Sequence, residues 1–113
     1  YGYDLITSDK NIKYNITDIS CANYIIQNML PCSYHKSPTI TDLSNSVYDT
    51  GYIAQDLLKM DELNHTVNKN PDDLYSVNYD SIIPFLCKTV QELHSEVSYL
   101  ENLIATIENK KHD

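Results

Sequence analysis

The stretch IPFLCKTVQELHSEVSYLENLIATI, residues 83–107, decides the reading of this chain. Its apolar residues Ile83, Leu86, Val90, Leu93, Val97, Leu100, Ile104 and Ile107 follow one another in steps of 3-4-3-4-3-4-3. Steps that alternate in this way keep one stripe of a helix facing a neighbouring helix, which is the heptad of a left-handed coiled coil. Pro84 falls in the first turn, where its missing N–H costs little if Asp80 or Ser81 is the cap. The stripe runs on past what so small a globular part can cover, so it predicts self-association. Ile or Val at every a position with Leu at the first three d positions suits two strands. Ile107 at d and Leu103 at a flanking g position widen the stripe for a third. Spacing alone leaves both open.

Ahead of this helix the pattern is of short elements. Tyr3/Leu5 and then Ile12/Tyr14/Ile16 alternate as strands do, with an interruption at residues 7–11. Asp18 or Ser20 can cap a helix carrying Ile19, Ala22, Ile26 and Met29 on one side, and Pro31 stops it. Residues 32–36 read as a strand. Residues 37–50, rich in Ser, Thr, Asn and Asp, read as a loop and the most mobile part of the chain. Residues 51–60 read as a helix with Ile53, Leu57 and Leu58 inside. Residues 65–69 and 74–79 flank Asn70-Pro71-Asp72-Asp73, where proline presets the turn and the Asx side chains bond their own backbone, so they form a hairpin. On its second strand Tyr75, Val77 and Tyr79 share a face, and Tyr79 packs where hairpin meets helix. The fold class is α+β: a small globular part of strands and helices, followed by a long C-terminal helix.

Composition excludes several functions. The formal net charge is -8 and there is no Arg, so the surface repels phosphate and lacks the guanidinium forks that read nucleic acids. No apolar run approaches the roughly 18 residues needed to span a membrane. Gly2 and Gly51 are the only glycines, too few for a phosphate-cradling loop. Cys21, Cys32 and Cys87 form no Cys-x-x-Cys and read as free, mostly buried thiols of a reducing compartment. His35, His65, His94 and His112 pair with nothing at ligand spacing, so neither a metal nor a cofactor is expected. His35 reads as a strand-surface residue. The opening Tyr1-Gly2-Tyr3-Asp4 looks like the middle of a longer protein.

Four blocks carry a family resemblance. Residues 8–16, SDKNIKYNI, are similar to the Ser-Asp-x-Arg-x-Lys-x-Asn-Ile signature that opens the S74 peptidase-type intramolecular chaperone domain of viral fibre proteins. Leu30-Pro31-Cys32-Ser33-Tyr34 resembles its Pro-Val-x-Tyr strand, and Gly51-Tyr52-Ile53-Ala54-Gln55-Asp56 its Gly-x-Ile-Ala-Gln-Glu helix start. Val77-Asn78-Tyr79, followed by Val90-Gln91-Glu92-Leu93, resembles its lead into a terminal coiled coil. The blocks come in the family's order and span nearly the whole chain from Ser8.

The resemblance implies a homotrimer attached behind a tail spike, endosialidase or neck appendage, made in the host cytoplasm with its parent protein bound for the virion. Its partners would be its own copies and the upstream fibre chain, with no nucleic acid and no membrane. It would trimerise and fold the parent, then cut itself off between Thr7 and Ser8, with Lys13 as base. Residues 1–7 would be the end of the fibre, 8–79 the α+β chaperone and auto-protease, and 80–113 the coiled-coil helix. Asn11 stands where the family has Arg, so any ion pair made by that Arg is absent here.

On chemical grounds, a Ser–Lys pair works when the lysine is neutral near pH 7, which requires a desolvated ammonium. Ser8 follows the scissile bond, so its attack on the Thr7 carbonyl resembles an N-to-O acyl shift. In a straight strand the two residues would lie about 17 Å apart on opposite faces. Either residues 9–11 bend, or Lys13 comes from a neighbouring chain. Gln55 and Asp56 are candidates for a supporting role, or simply first-turn residues that suit the helix dipole. Two other functions compete: a trimerisation or capping domain that does not cleave, and a coiled-coil adaptor whose acidic head binds another protein.

Overall fold

The computed structural model describes residues 5–111, in the order helix α1 (Ala22–Ile26), strands β1 (Cys32–Lys36) and β2 (Val47–Gly51), helix α2 (Ala54–Leu58), strands β3 (Val67–Lys69) and β4 (Tyr75–Val77), and helix α3 (Ile83–Lys111). The strands form two separate antiparallel pairs. In one, Cys32 lies opposite Gly51 and Lys36 opposite Val47; in the other, Val67 lies opposite Val77 and Lys69 opposite Tyr75. Small sheets beside a long terminal helix make the fold α+β, as the sequence predicts.

The core is small and lies where α1, α2 and the first turns of α3 meet. Ile25, Met29, Leu57, Leu63, Ile82 and Phe85 are buried together, with Ile19, Tyr52 and Val77 packed half-buried around them. Ala22 is fully buried. Burying a side chain the size of Leu or Ile contributes about 1.5–3 kcal/mol. Two buried threonines join this region and satisfy their hydroxyls on local carbonyls: Thr66 Oγ1 donates to Leu63 at 2.7 Å and Thr89 Oγ1 to Phe85 at 2.8 Å.

Helix α3 has two working faces. Ile82, Phe85 and Thr89, with half-buried Glu92, make an inner stripe against the globular part. The heptad residues Ile83, Leu86, Val90 and Leu93 each stand one position later on the helix, and all eight heptad residues are 42–66% exposed in the single chain. The 3-10 turn Tyr79–Ser81 is wound directly onto this helix, and the Ile82 carbonyl accepts the Phe85 and Leu86 N–H groups at 3.0 and 3.3 Å. Ile82 therefore holds the cap position expected of Asp80 or Ser81.

Helix α1 differs from its sequence reading in a similar way. Neither Asp18 nor Ser20 caps it; Cys21 stands at the N-cap in left-handed backbone, φ 57°, with no side-chain hydrogen bond of its own. The cap arrives from the far end of the chain instead. Glu92 of α3 accepts the Asn23 N–H on one carboxylate oxygen at 2.8 Å and the Ala22 N–H on the other at 3.3 Å.

Other expectations are corrected. Residues 5–16 contain no strand, because no other segment among the described residues pairs with them; Tyr3 lies outside the described residues. The loop assigned to residues 37–50 ends early, since Val47–Thr50 belong to β2 and pair with β1. The second helix starts at Ala54, after Gly51 has closed β2, and buries Leu57 while Ile53 and Leu58 stay exposed. All three cysteines are free, but Cys21 and Cys87 are exposed and Cys32 is half-buried. Cys21 sits in the turn before α1, and Cys87 faces away from the inner stripe of α3. The hairpin about Asn70–Asp73 forms as expected: Asp73 takes a left-handed φ of 66°, and Asp72 Oδ1 accepts the Leu74 N–H at 3.0 Å.

Candidate active site

Between Ser8 and Lys13 the backbone is wound into the 3-10 turn Lys10–Ile12. Asp9 caps this turn from extended backbone, and its Oδ1 accepts the Asn11 N–H at 2.8 Å. The N–H groups of Ile12 and Lys13 close onto the carbonyls of Asp9 and Lys10, each at 3.2 Å. This folds the five-residue interval back on itself, and Lys13 Nζ donates a hydrogen bond to Ser8 Oγ. The bend at residues 9–11, one of the two arrangements that the sequence allows, is present, and it brings the two side chains together within one chain.

The pair sits in an uncovered segment. Every residue from Leu5 to Asp18 is solvent-exposed, Thr7 included. The large apolar side chains Leu5, Ile6, Ile12, Tyr14 and Ile16 are 62–94% exposed. Gln55 and Asp56 stand apart from the pair: neither hydrogen-bonds to Ser8 or Lys13. Asp56 is half-buried in the first turn of α2, and Gln55 lines a groove between the two hairpins.

That groove, with a volume of about 440 Å³, is what the sequence reading missed. Tyr34, Tyr52, Tyr75 and Tyr79 supply much of its wall. Tyr79 Oη accepts the Tyr52 N–H at 3.1 Å, and the two rings lie 6.1 Å apart. The Tyr34 and Tyr79 hydroxyls are both close to Gly51; the Tyr79 hydroxyl foremost, then burial and the nearby Asp49 charge, raises the Tyr34 pKa above its ordinary value. Gly51 is what lets them meet. A Cβ added there would overlap Tyr79 Oη and come within 2.8 Å of Tyr34 Oη. Three of the four blocks that carry the family resemblance thus converge on one place, through Tyr34, Gly51 and Tyr79. The signal was available in those blocks, but only the fold shows that they touch. His35, by contrast, lies on the exposed face of β1, edge-on to Tyr48 at 5.6 Å. Among the described residues no cluster of His, Cys, Asp and Glu is placed to hold a metal ion, and no helix is long and apolar enough to cross a membrane.

A comparison with protein families matches residues 8–64 to the peptidase S74 model, described as chaperone of endosialidase. No curated protein matches the chain. The match starts on Ser8, takes in the turn that brings Ser8 and Lys13 together, and runs through both β1–β2 and α2. With half of its length matched from that serine onward, the chain belongs to the chaperone-of-endosialidase family, peptidase S74.

Proposed function

We propose that this chain is an intramolecular chaperone that trimerises a viral fibre protein through the α3 seam, then releases itself by a single cut between Thr7 and Ser8. Residues 1–7 are the end of the fibre, 8–79 the chaperone and auto-protease, and 80–113 the coiled coil. The parent is built in the host cytoplasm and carried into the virion. The observation that carries this reading is the hydrogen bond between Lys13 Nζ and Ser8 Oγ, in a segment where the family match begins.

In the proposed reaction Lys13 acts as the base and takes the hydroxyl proton as Ser8 Oγ attacks the Thr7 carbonyl carbon. The bond from that carbon to the Ser8 nitrogen breaks, and the nitrogen receives the proton from Lys13. The Thr7 acyl group is then an ester on Ser8 Oγ. Water hydrolyses it, leaving a carboxylate on Thr7 and a free α-amine and hydroxyl on Ser8. The reaction requires a lysine shielded from water. Because residues 5–18 are uncovered in one chain, neighbouring chains of the trimer supply that shield.

Mass spectrometry of the purified chain tests this. Wild type should lose residues 1–7 and begin at Ser8. Ser8→Ala should stay intact yet fold, since it removes only the nucleophilic oxygen. Lys13→Arg should also stay intact, because guanidinium does not give up a proton near neutral pH. Cutting by Lys13→Arg at the native rate rules out Lys13 as base. Asn11, in the family's Arg position, favours a second reading, a trimerisation domain that does not cleave; a wild-type chain that stays whole as a trimer would establish it.

A further inference from the structure

Among the described residues, the exposed segment carrying Ser8 and Lys13 joins the core through its C-terminal end. Its own hydrogen bonds are local: those of the turn and the Ser8–Lys13 pair described above, and Thr17 Oγ1 donating to the Asn15 carbonyl at 3.5 Å. Contact with the core begins at Ile19, half-buried against it, and at Ala22, fully buried at the start of α1. Between them Cys21 turns through left-handed backbone, a conformation that persists in a residue with a Cβ only where its surroundings impose it.

Glu92 holds the two residues that follow Cys21. Its two carboxylate oxygens take the first two N–H groups of α1 across a sequence separation of 70 and 69 residues. Its own position on α3 is equally particular. It lies between Val90 and Leu93, both exposed seam residues, while Phe85 and Thr89 continue its stripe inward. The same two turns of one helix therefore present the assembly surface on one side and hold α1 on the other. Packing alone would let α1 slide or roll; a bidentate acceptor fixes both its distance and its direction.

We infer that Glu92 is a positioning residue for self-cleavage, transmitting the placement of the assembled α3 to the segment that carries Ser8 and Lys13. It touches neither reacting group and acts through α1. The inference rests on the proposed cleavage but is separate from the choice of nucleophile and base.

The test uses the whole chain with Glu92→Ala, Glu92→Asp and Glu92→Gln. Each is measured for assembly by sedimentation, for melting temperature, and for the rate at which residues 1–7 are lost. Glu92→Ala should assemble through its intact seam but cut roughly tenfold to a hundredfold more slowly, the scale set by a misplacement of about 1 Å. Glu92→Gln, whose amide oxygen still reaches the Asn23 N–H, should recover most of the rate. Glu92→Asp keeps the charge but lacks the reach and should stay slow. Should Glu92→Ala fail to assemble, the Gln and Asp variants carry the comparison. Wild-type rates in assembled Ala or Asp variants, rescue by Asp and not by Gln, or rates that merely follow melting temperature would overturn the inference. A wild-type chain that never cuts removes the cleavage reading as well, which separates the two failures.

Discussion

At Gly51 a single missing methyl group sets the geometry of the groove. The Tyr79 hydroxyl reaches the Tyr52 N–H by passing over the Gly51 Cα, where a side chain would meet both it and the Tyr34 hydroxyl. Gly51→Ala must push at least one of these hydroxyls away, and each neutral hydrogen bond lost costs about 1 kcal/mol. We expect destabilisation of about 1–2 kcal/mol by denaturant titration. Tyr79→Phe removes the hydroxyl that collides and leaves the ring. In that background Gly51→Ala should cost clearly less, and the size of the reduction measures the coupling between the two residues. Equal costs in both backgrounds would mean that the overlap at Tyr79 is not what makes glycine necessary. The candidate pair Ser8 and Lys13 belongs to the same scale and is legible locally. Their residue types and spacing match a signature within one short stretch, whereas the Gly51–Tyr79 contact joins residues 28 positions apart and no local pattern encodes it.

Elements divide by whether local or distant forces make them. The β3–β4 hairpin is legible because Pro71 and the Asx residues build the turn from within, and α3 because 29 residues repeat one period. The 3-10 turn Leu43–Asn45 is also local, and it gives a pH test. The Asp42 carboxylate accepts from the Ser44 hydroxyl at 3.0 Å and from Asn45 Nδ2 at 3.0–3.2 Å. These bonds, that from Asn45 foremost, hold its pKa below the ordinary carboxylate value. A folded pKa below the unfolded one means that the contribution is present above the ordinary value and is lost as pH falls through the lowered one. Titration followed by NMR should show Asp42 ionising below an ordinary Asp, and Asn45→Ala should return it upward. An unmoved midpoint in that variant would remove the cause assigned. Other elements depend on distant partners. Residues 47–50 are all exposed and carry no buried face to read, so β2 exists only by pairing with β1. Ile12, Tyr14 and Ile16 alternate like a strand yet pair with nothing among the described residues, because alternation encodes the ability to pair and not the partner. The α1 cap was misread for the same reason: Asp18 and Ser20 are good local caps, but Glu92 supplies the acceptors from 70 residues away.

At the scale of the molecule, the chain extends over 72 × 41 × 30 Å, with α3 about 43 Å long at 1.5 Å per residue. Its eight seam residues form an apolar stripe that the chain itself leaves uncovered. A contiguous exposed stripe of this kind marks an interface. The trimer proposed above would close on this stripe, so sedimentation should give a trimer at micromolar concentration. Val97→Asp places three carboxylates together in the seam, where burying unpaired charge costs several kcal/mol per ion, and should leave monomers. Those monomers should also fail to cut at Ser8, because the reacting segment would then stay open to water; efficient cutting by a proven monomer would separate cleavage from assembly. The remaining question is whose lysine serves each serine. The turn at residues 10–12 already brings Lys13 to the Ser8 of its own chain, so the proposed reaction should run within a chain even if cutting requires assembly. Co-expressing Ser8→Ala chains with Lys13→Ala chains gives mixed trimers in which an intact Ser8 can be served only by a neighbour's intact Lys13. In such trimers, verified by mass, the Lys13→Ala chain should stay whole. If it is cut, the lysine acts across the interface, and the hydrogen bond within one chain is not the arrangement that reacts.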